Sequence, residues 1–300
     1  EWPGRLRDAG PTVLVALLLV GSVGAGSMGY SIQGEVVYET QTAYQELRVV
    51  DRGDTRTLYL DGQRHSAMDL DDPTRHVFDY TRYFHLPFLM ADDPDEIDRV
   101  LFVGGGGFSG PKRFVEEYDA TVDVVEIDPA VVGAARNYFA LDEYEGRGNG
   151  TRGRLNVHVG DGREFLRETN HTYDLIVLDA YKQDKVPFQL TTVEFVRLAK
   201  ERLSEDGMLF ANLISAPSGP GSEFYRAEYK TVSRAFPQVY AFRTSPSSAV
   251  QNVELVATRS EDRLSEAELL ARNDRRSVGL DLGDEVRSYM PPPETDDVPV

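Results

Sequence analysis

Between residues 99 and 215 the sequence alternates short apolar segments with segments of helical character, and this alternation constrains the fold more than any other feature. The apolar segments are VLFV, VDVVEID, LNVHVGD, YDLIVLDA and GMLFANL, and helical patterns separate them at 111–118, 129–139, 163–168 and 191–203. Nearly continuous apolar strands separated by helices are typical of a parallel sheet covered on both faces. The sequence therefore predicts an α/β fold with a Rossmann-like, doubly wound sheet.

The segments on either side follow other patterns. Residues 35–70 alternate polar and apolar positions between the turns DRGD and LDG, which predicts a small antiparallel β-unit. VYAFRT and QNVELVAT predict a closing antiparallel pair, and 262–273 a surface helix. The predicted domains are a β-hairpin unit at 32–90, a Rossmann-like domain at 91–275 and an acidic, Pro-rich, disordered tail at 276–300.

Residues 11–30 form a stretch of 20 residues without a charged side chain. This is about the length that crosses the ~30 Å hydrocarbon core of a bilayer. We therefore expect an N-terminal segment, 1–31, with a membrane helix at about 12–30. A cleaved signal peptide is the alternative, because Arg5 and Arg7 precede the apolar stretch and small residues follow it. The positive-inside rule would place the domain outside, but Glu1 and Asp8 offset the two Arg charges.

The charge and the residue types exclude several classes of function. The net charge of −18, from 50 acidic and 32 basic side chains, disfavours nucleic acid as a partner. The absence of Cys excludes thiolate nucleophiles and Cys-ligated metals, and the five His are scattered, so we expect no metal site. So acidic a chain, with only five Lys, is also typical of proteins from salt-adapted, halophilic microbes.

The segment RVLFVGGGGFSG places four consecutive Gly between the first apolar strand and a helix. In a doubly wound sheet this is where a ligand meets the carboxyl ends of the strands. Gly residues there permit positive φ angles and close approach of a ligand to the backbone. Gly104, Gly106 and Ser109 imitate the G-x-G-x-x-G dinucleotide spacing only loosely. The loop indicates nucleotide binding, with a simple sharp turn as the alternative.

Acidic side chains end the next three apolar strands. Glu126 and Asp128 follow the glycines by about 20 residues, where a carboxylate can accept hydrogen bonds from ribose hydroxyls. Asp161, before Gly162, can accept from the exocyclic amine of adenine, or can cap the following helix. Asp179 can act as a base or can hold a cationic group. Because these strand ends share one rim, they predict one cleft.

In order and spacing, these motifs resemble those of the polyamine aminopropyltransferases, the family of spermidine synthase. The resemblance covers residues 36–258 and rests on YQELRVV, LDG, HLPF, VLFVGGGGFSG, VVEIDPAVV, VGDGREFL and YDLIVLDA. It implies a class I methyltransferase-type sheet preceded by a β-hairpin unit. It also implies transfer of the aminopropyl group of decarboxylated S-adenosylmethionine to a small-molecule amine.

The resemblance also assigns roles to particular residues. Glu126 would bind the ribose, Asp161 the adenine, and Asp179 matches the family's proton acceptor. The residues assigned to donor binding are Gln45, Gly104, Gly105, Gly106, Glu126, Asp161 and Gly162. The expected contacts of the acceptor are Tyr80, Tyr181 and Lys182.

Three departures from the family pattern concern the amine end of the site. Gly107 stands where the family carries the Asp that holds the aminopropyl ammonium. Asp79, Tyr80 and Thr81 replace a Tyr-His-Glu triplet, and Lys182 replaces a second Asp. A buried ammonium must be paired with a carboxylate. We therefore expect putrescine to be a poor acceptor, and Lys182 suits an acceptor that carries a carboxylate or a phosphate.

The sequence thus predicts an aminopropyltransferase, and two alternatives stay open. One is methyl transfer from intact S-adenosylmethionine, which the missing amine-binding carboxylates favour. The other is a non-catalytic, membrane-associated module that binds a nucleoside. The variant LDAYKQDKVPFQLTTVEF resembles a spermidine-synthase-like branch that is often attached to membrane helices. A donor made in the cytosol favours a membrane-anchored protein with a cytoplasmic catalytic domain, and a homodimer is one expected assembly.

Overall fold

The computed structural model describes residues 33–145, 154–180, 187–276 and 278–300. Its first sheet is an antiparallel meander in the order β1-β2-β3-β4, as predicted for this region. Gly53 and Gly62, with φ angles of 57° and 77°, form the turns of DRGD and LDG. The four strands are β1 Glu35–Gln41, β2 Glu46–Arg52, β3 Thr55–Leu60 and β4 Gln63–Asp69.

The second sheet has the order β12-β10-β11-β9-β8-β5-β6-β7 within the described residues. Strands β5, β6, β7, β8 and β9 run parallel to one another. Strands β10 and β11 form the predicted antiparallel pair. The chain order reverses between β5 and β8, which makes their carboxyl ends the switch point where ligands bind such sheets. The strands are β5 Arg99–Val103, β6 Thr121–Glu126, β7 Leu155–Val159, β8 Tyr173–Leu178, β9 Leu203–Ser215, β10 Gln238–Arg243, β11 Gln251–Thr258 and β12 Tyr289–Met290.

Helices cover both faces of this sheet, as the alternating pattern predicts. The α-helices are α1 Leu86–Met90, α2 Ser109–Glu117, α3 Pro129–Tyr138, α4 Gly162–Glu168, α5 Val193–Glu201, α6 Glu223–Ser233, α7 Glu266–Arg275 and α8 Gly283–Arg287. Short 3₁₀ helices occupy Asp79–His85, Pro94–Glu96, Leu141–Glu143 and Phe188–Leu190. Helix α7 begins later than predicted because Ser265 and Glu268 form a capping box at its amino end.

Two apolar clusters fill the faces of the large sheet, and a third joins the two sheets. Alternate residues of each strand point to opposite faces. Phe102 packs in the cluster beneath α2 and α3, and Leu101 in the cluster beneath α5 and α6. In the third cluster, Leu47 and Met68 of the β-unit pack against Phe139, just after α3. This contact fixes the β-unit beside the carboxyl ends of the central strands.

The structure differs from two of the predicted domain boundaries. Residues 79–90, assigned to the β-unit, pack in the core of the Rossmann-like domain, with Phe84 and Leu86 fully buried. The tail at 276–300, expected to be disordered, contains α8 and β12, and β12 pairs with β10. Leu282 and Val286 bury an apolar side of this tail against the same core. Among the described residues, no helix has the length and hydropathy needed to cross a membrane. The membrane helix predicted at 12–30 lies outside those residues.

Candidate active site

The glycine loop joins the carboxyl ends of three strands. Gly104 and Gly106 have φ angles of 101° and 50°. A Cβ atom at Gly104 would lie 2.4 Å from the carbonyl oxygen of Asp179, so this position admits no side chain. The amide of Gly104 donates to the carbonyl oxygen of Val125 over 2.9 Å. The loop is therefore held between the ends of β6 and β8.

Glu126 ends β6 and binds the glycine loop through its carboxylate. Its Oε2 accepts a hydrogen bond from the amide of Gly105, and its Oε1 from the amide of Asp128, both at 2.9 Å. Burial raises the pKa of Glu126, and these backbone donors oppose that rise. A carboxylate oxygen can accept more than one hydrogen bond. The carboxylate can thus accept from ribose hydroxyls while it holds the loop.

Asp128 has a structural role that the sequence left open. Its Oδ1 accepts from the amide of Ala130 and caps α3, at 2.9 Å. Its Oδ2 accepts from Oγ1 of Thr42 at 2.7 Å and from Nε2 of Gln45 at 3.3 Å. The buried carboxylate therefore ties the loop between β1 and β2 to the large sheet. This leaves Glu126 as the ribose candidate and brings Gln45 to the same rim.

Asp161 caps α4, as one of its two sequence interpretations predicts. Its Oδ1 accepts from the amide of Glu164 at 3.0 Å, and its Oδ2 from Nε2 of Gln189 at 3.4 Å. A Cβ atom at Gly162 would lie 2.4 Å from Cγ1 of Val103, so α4 approaches the end of β5 closely. The capping role is confirmed, and the adenine contact stays a prediction.

Asp179 directly follows β8 and lies at the centre of the rim. Its amide donates to the carbonyl oxygen of Val103 at 2.9 Å. Its Oδ1 accepts from Nδ2 of Asn212 at 2.8 Å, and Oδ1 of Asn212 accepts from Nδ2 of Asn252 at 2.8 Å. Burial raises the pKa of Asp179 to about 7, Asn212 opposes this rise, and the charge of Glu126 adds to it. A carboxyl with this pKa is suited to take up and release a proton near neutral pH.

A cleft between the β-unit and the large sheet adjoins Asp179. Tyr80, Phe78 and Ser66 line it together with the glycine loop. Thr81 also lines it, but its hydroxyl binds Nδ1 of His76 and the carbonyl oxygen of Phe78, both at 2.7 Å. Of the predicted acceptor contacts, the structure therefore places Tyr80 at the cleft. Tyr181 and Lys182 lie outside the described residues.

The β-unit occupies the space next to Gly107, where the family carries an Asp. The amide of Gly107 donates to Oγ of Ser66 at 2.9 Å. A Cβ atom at this position would lie 2.9 Å from Cβ of Ser66 and 3.2 Å from Cδ1 of Phe139. Asp79, in the replaced triplet, is exposed. The packing thus leaves no room for the missing carboxylate without a shift of β4.

Three polar residues on this side of the sheet are not among those that the sequence motifs predict. Asn212, Asn252 and Glu254 lie within β9 and β11, and Glu254 pairs directly with Asn212 across the two strands. The signal was present, because GMLFANL and QNVELVAT each carry a polar residue inside an apolar strand. A single sequence does not show that the two strands are neighbours.

The chain matches a family model described as the spermine/spermidine synthase domain over residues 79–245. It is 32% identical to the polyamine aminopropyltransferase of Vibrio vulnificus over 79% of this chain and 76% of that protein. Its fold is similar to that of a probable spermidine synthase from Corynebacterium glutamicum, with a TM-score of 0.67, 19% identity and coverage of 79% and 87% of the two chains. It is also similar to a spermidine synthase in complex with the transition-state analogue AdoDATO, with a TM-score of 0.61, 19% identity and coverage of 79% and 85%.

Proposed function

The chain belongs to the spermine/spermidine synthase family, and on that basis we propose that it transfers an aminopropyl group from decarboxylated S-adenosylmethionine to an amine. The observation that carries the proposal is the position of Asp179. The backbone carbonyl of Asp179 lies against Gly104, and its carboxyl, with a pKa of about 7, lines the same cleft as Gly104 and Gly105 of the loop where a nucleoside would bind. Base and donor site thus share one cleft.

The reaction needs one base and one alkyl donor. The acceptor ammonium gives a proton to the carboxylate of Asp179, and the neutral amine then attacks the methylene carbon bonded to the sulfonium. The new C–N bond forms as the C–S bond breaks, and the bonding pair stays on sulfur. The products are an alkylated ammonium and methylthioadenosine, and Asp179 releases its proton to solvent. A base with a pKa near the working pH is efficient in such a step.

Two features support binding of the donor's nucleoside. Glu126 presents a buried carboxylate next to the glycine loop, where it can accept from ribose hydroxyls. Gln45 donates to Asp128, two residues after Glu126, and Asp161 follows β7, the neighbour of β6, although it also caps α4. The likeness to a spermidine synthase solved with the transition-state analogue AdoDATO supports the proposal of a decarboxylated donor.

Methyl transfer from S-adenosylmethionine is the second candidate, and one observation favours it. Packing of Ser66 against Gly107 leaves no space for the carboxylate that would hold an aminopropyl ammonium. Both donors carry an ammonium at this end, but only S-adenosylmethionine also carries a carboxylate, which a protein carboxylate at this position would repel. Its absence therefore removes an obstacle to S-adenosylmethionine.

One assay separates the two reactions. The protein is incubated with either donor and a panel of primary amines, and the products are identified by mass. We expect aminopropylated amine and methylthioadenosine from the decarboxylated donor, and loss of both with Asp179→Asn. Glu228→Gln, which changes a buried carboxyl on the opposite face of the sheet, is the matched control. Methylated amine from S-adenosylmethionine alone would establish the second candidate instead.

Location, assembly and salt requirement are further proposals. A membrane anchor at 12–30, with the catalytic domain in the cytoplasm, agrees with a cytosolic donor. Membrane fractionation, followed by protease treatment of intact and opened vesicles, tests both parts. Light scattering tests a homodimer. The net charge of −18 supports assays at high as well as low salt.

A further inference from the structure

Glu254 is a buried carboxyl without a partner among the described residues. Its side chain is 0% exposed, and within the described residues neither carboxylate oxygen has a hydrogen-bond partner or an ion pair. An ionised carboxylate in such a place is costly, so it is either protonated or waits for a cation. Natural proteins rarely leave a buried polar group unsatisfied without a functional reason.

The sheet register places Glu254 in the same row as Asp179. Leu178 of β8 lies beside Ala211 of β9, so Asp179 lies beside Asn212, and Asn212 lies opposite Glu254 of β11. The hydrogen bond from Asn212 to Asp179 shows that these side chains share a face of the sheet. A carboxyl, an amide and a second carboxyl, from Asp179, Asn212 and Glu254, therefore lie side by side across three neighbouring strands.

The spacing of the strands sets the distance between the two carboxyls. Neighbouring strands lie about 4.8 Å apart, so the backbones of Asp179 and Glu254 are separated by roughly 10 Å. Both side chains extend from the same face, next to the aromatic rings of Tyr80, Phe84 and Phe242. Two carboxyls with an apolar, aromatic surface beside them match a short alkyl chain with an ammonium at each end.

Tyr80 connects this row to the cleft. It lines the cleft, and burial raises its pKa, with further contributions from the charges of Asp179 and Glu254. The side chain is therefore close to both carboxyls. Because Glu254 is fully covered, an amine can reach it only after the side chains that cover it move.

We propose that Glu254 binds the second ammonium of a diamine acceptor whose first amine reacts at Asp179. The proposal rests on the proposed function, since it adds an acceptor-binding residue, Glu254, to the same site. It supplies a carboxylate from β11, outside the motifs in which the sequence comparison found amine-binding groups missing. The diamine would lie across β8, β9 and β11, with Asn212 between its two ends.

The test compares two amines that differ by one ammonium. Binding of 1,4-diaminobutane and of 1-aminobutane is measured by calorimetry, with the protein saturated with methylthioadenosine so that no turnover occurs. We expect the wild type to bind the diamine at least tenfold more tightly, because a charge-assisted hydrogen bond is added. With Glu254→Gln this preference should fall to threefold or less, whereas Glu228→Gln should keep it. Equal binding of the two amines by the wild type, or a preference unchanged in Glu254→Gln, overturns the assignment.

Folding and catalysis are followed separately. Glu254→Gln should unfold at the same temperature as the wild type or higher, because it removes an unpaired buried carboxyl. If this variant does not fold, the wild type still decides the proposal through its preference for diamines over monoamines. A preference that does not change when the diamine is lengthened from three to five carbons contradicts the proposal. Wild type that prefers the diamine but forms no aminopropylated product disproves the proposed function and leaves the amine site standing. Product formation with an unchanged preference in Glu254→Gln disproves only the role of Glu254.

Discussion

Removal of the amide that contacts Asp179 should move the pH dependence of the reaction upward. In the wild type, Nδ2 of Asn212 donates to Oδ1 of Asp179 at 2.8 Å and stabilises the ionised carboxylate. A hydrogen bond to a charged group contributes about 1.5–3 kcal/mol. At 1.36 kcal/mol for each pKa unit, its loss in Asn212→Ala raises the pKa of Asp179 by about 1–2 units. The base must be ionised to act, so the rate at neutral pH falls and is recovered at higher pH.

The assay measures kcat/KM for methylthioadenosine formation from pH 5 to pH 9, with the best amine of the panel. The wild-type rate should rise with pH through about 7, which is the pKa of Asp179. Asn252→Ala is the matched control, because Asn252 binds Asn212 but does not bind Asp179, and it should shift the midpoint less. A midpoint that stays near 7 or falls in Asn212→Ala would refute the reasoning.

Three further predictions concern the nucleoside and the stability of the fold. Glu126→Gln replaces one acceptor oxygen by an amide NH2 group, which faces the backbone N–H of Gly105 or Asp128 and cannot accept from a ribose hydroxyl. Methylthioadenosine should therefore bind at least tenfold more weakly, and the thermal midpoint should fall. Unchanged affinity in calorimetry would remove the ribose assignment. Asp161→Asn should lose the wild type's discrimination between adenosine and inosine forms of methylthio-nucleosides, and equal binding of both by the wild type would leave only the capping role. Burial raises the pKa of Glu228 to about 8 in the folded protein, so the folded state holds this proton more tightly than the unfolded state. The resulting stabilisation is complete below the unfolded pKa of the carboxyl and is lost as the pH rises through 8. Glu228→Gln should therefore flatten the fall in unfolding free energy between pH 5 and 8 by up to about 1.4 kcal/mol per pH unit in urea titrations, and identical slopes would contradict the raised pKa.

Much of the fold could be predicted because its signals are local. Five apolar strands separated by helical patterns indicate a covered parallel sheet, and their carboxyl ends place Glu126, Asp161 and Asp179 at one rim. The tail at 276–300 is rich in acidic residues and Pro, which predicts disorder. Only a few well-spaced apolar residues, Leu282 and Val286 among them, bury it against the core.

The amine side of the site could not be predicted in the same way. Asn212 and Glu254 are 42 positions apart in the chain, and only the register of β9 against β11 makes them neighbours. A family motif marks the positions where functional groups are expected, so the lack of a carboxylate at position 107 is visible in the sequence. A carboxylate on another strand, such as Glu254 of β11, lies outside every motif and is not visible in this way.

The identity of the acceptor depends on whether the β11 carboxylate replaces the groups that the motifs lack. The sequence comparison expects putrescine to be poor, because Gly107 and Lys182 stand where the family places carboxylates. The structure adds Glu254, which lies in line with Asp179 and has no partner of its own among the described residues. An ammonium gives up its hydration when it is buried, so it needs a carboxylate partner there, and Glu254 is a carboxyl that has no competing partner among the described residues. Binding of a diamine should thus depend on Glu254 more than on any group at the family's positions. Retention of diamine binding in Glu254→Gln, with its loss in Asp79→Asn, would reverse this order and return the acceptor site to the motifs.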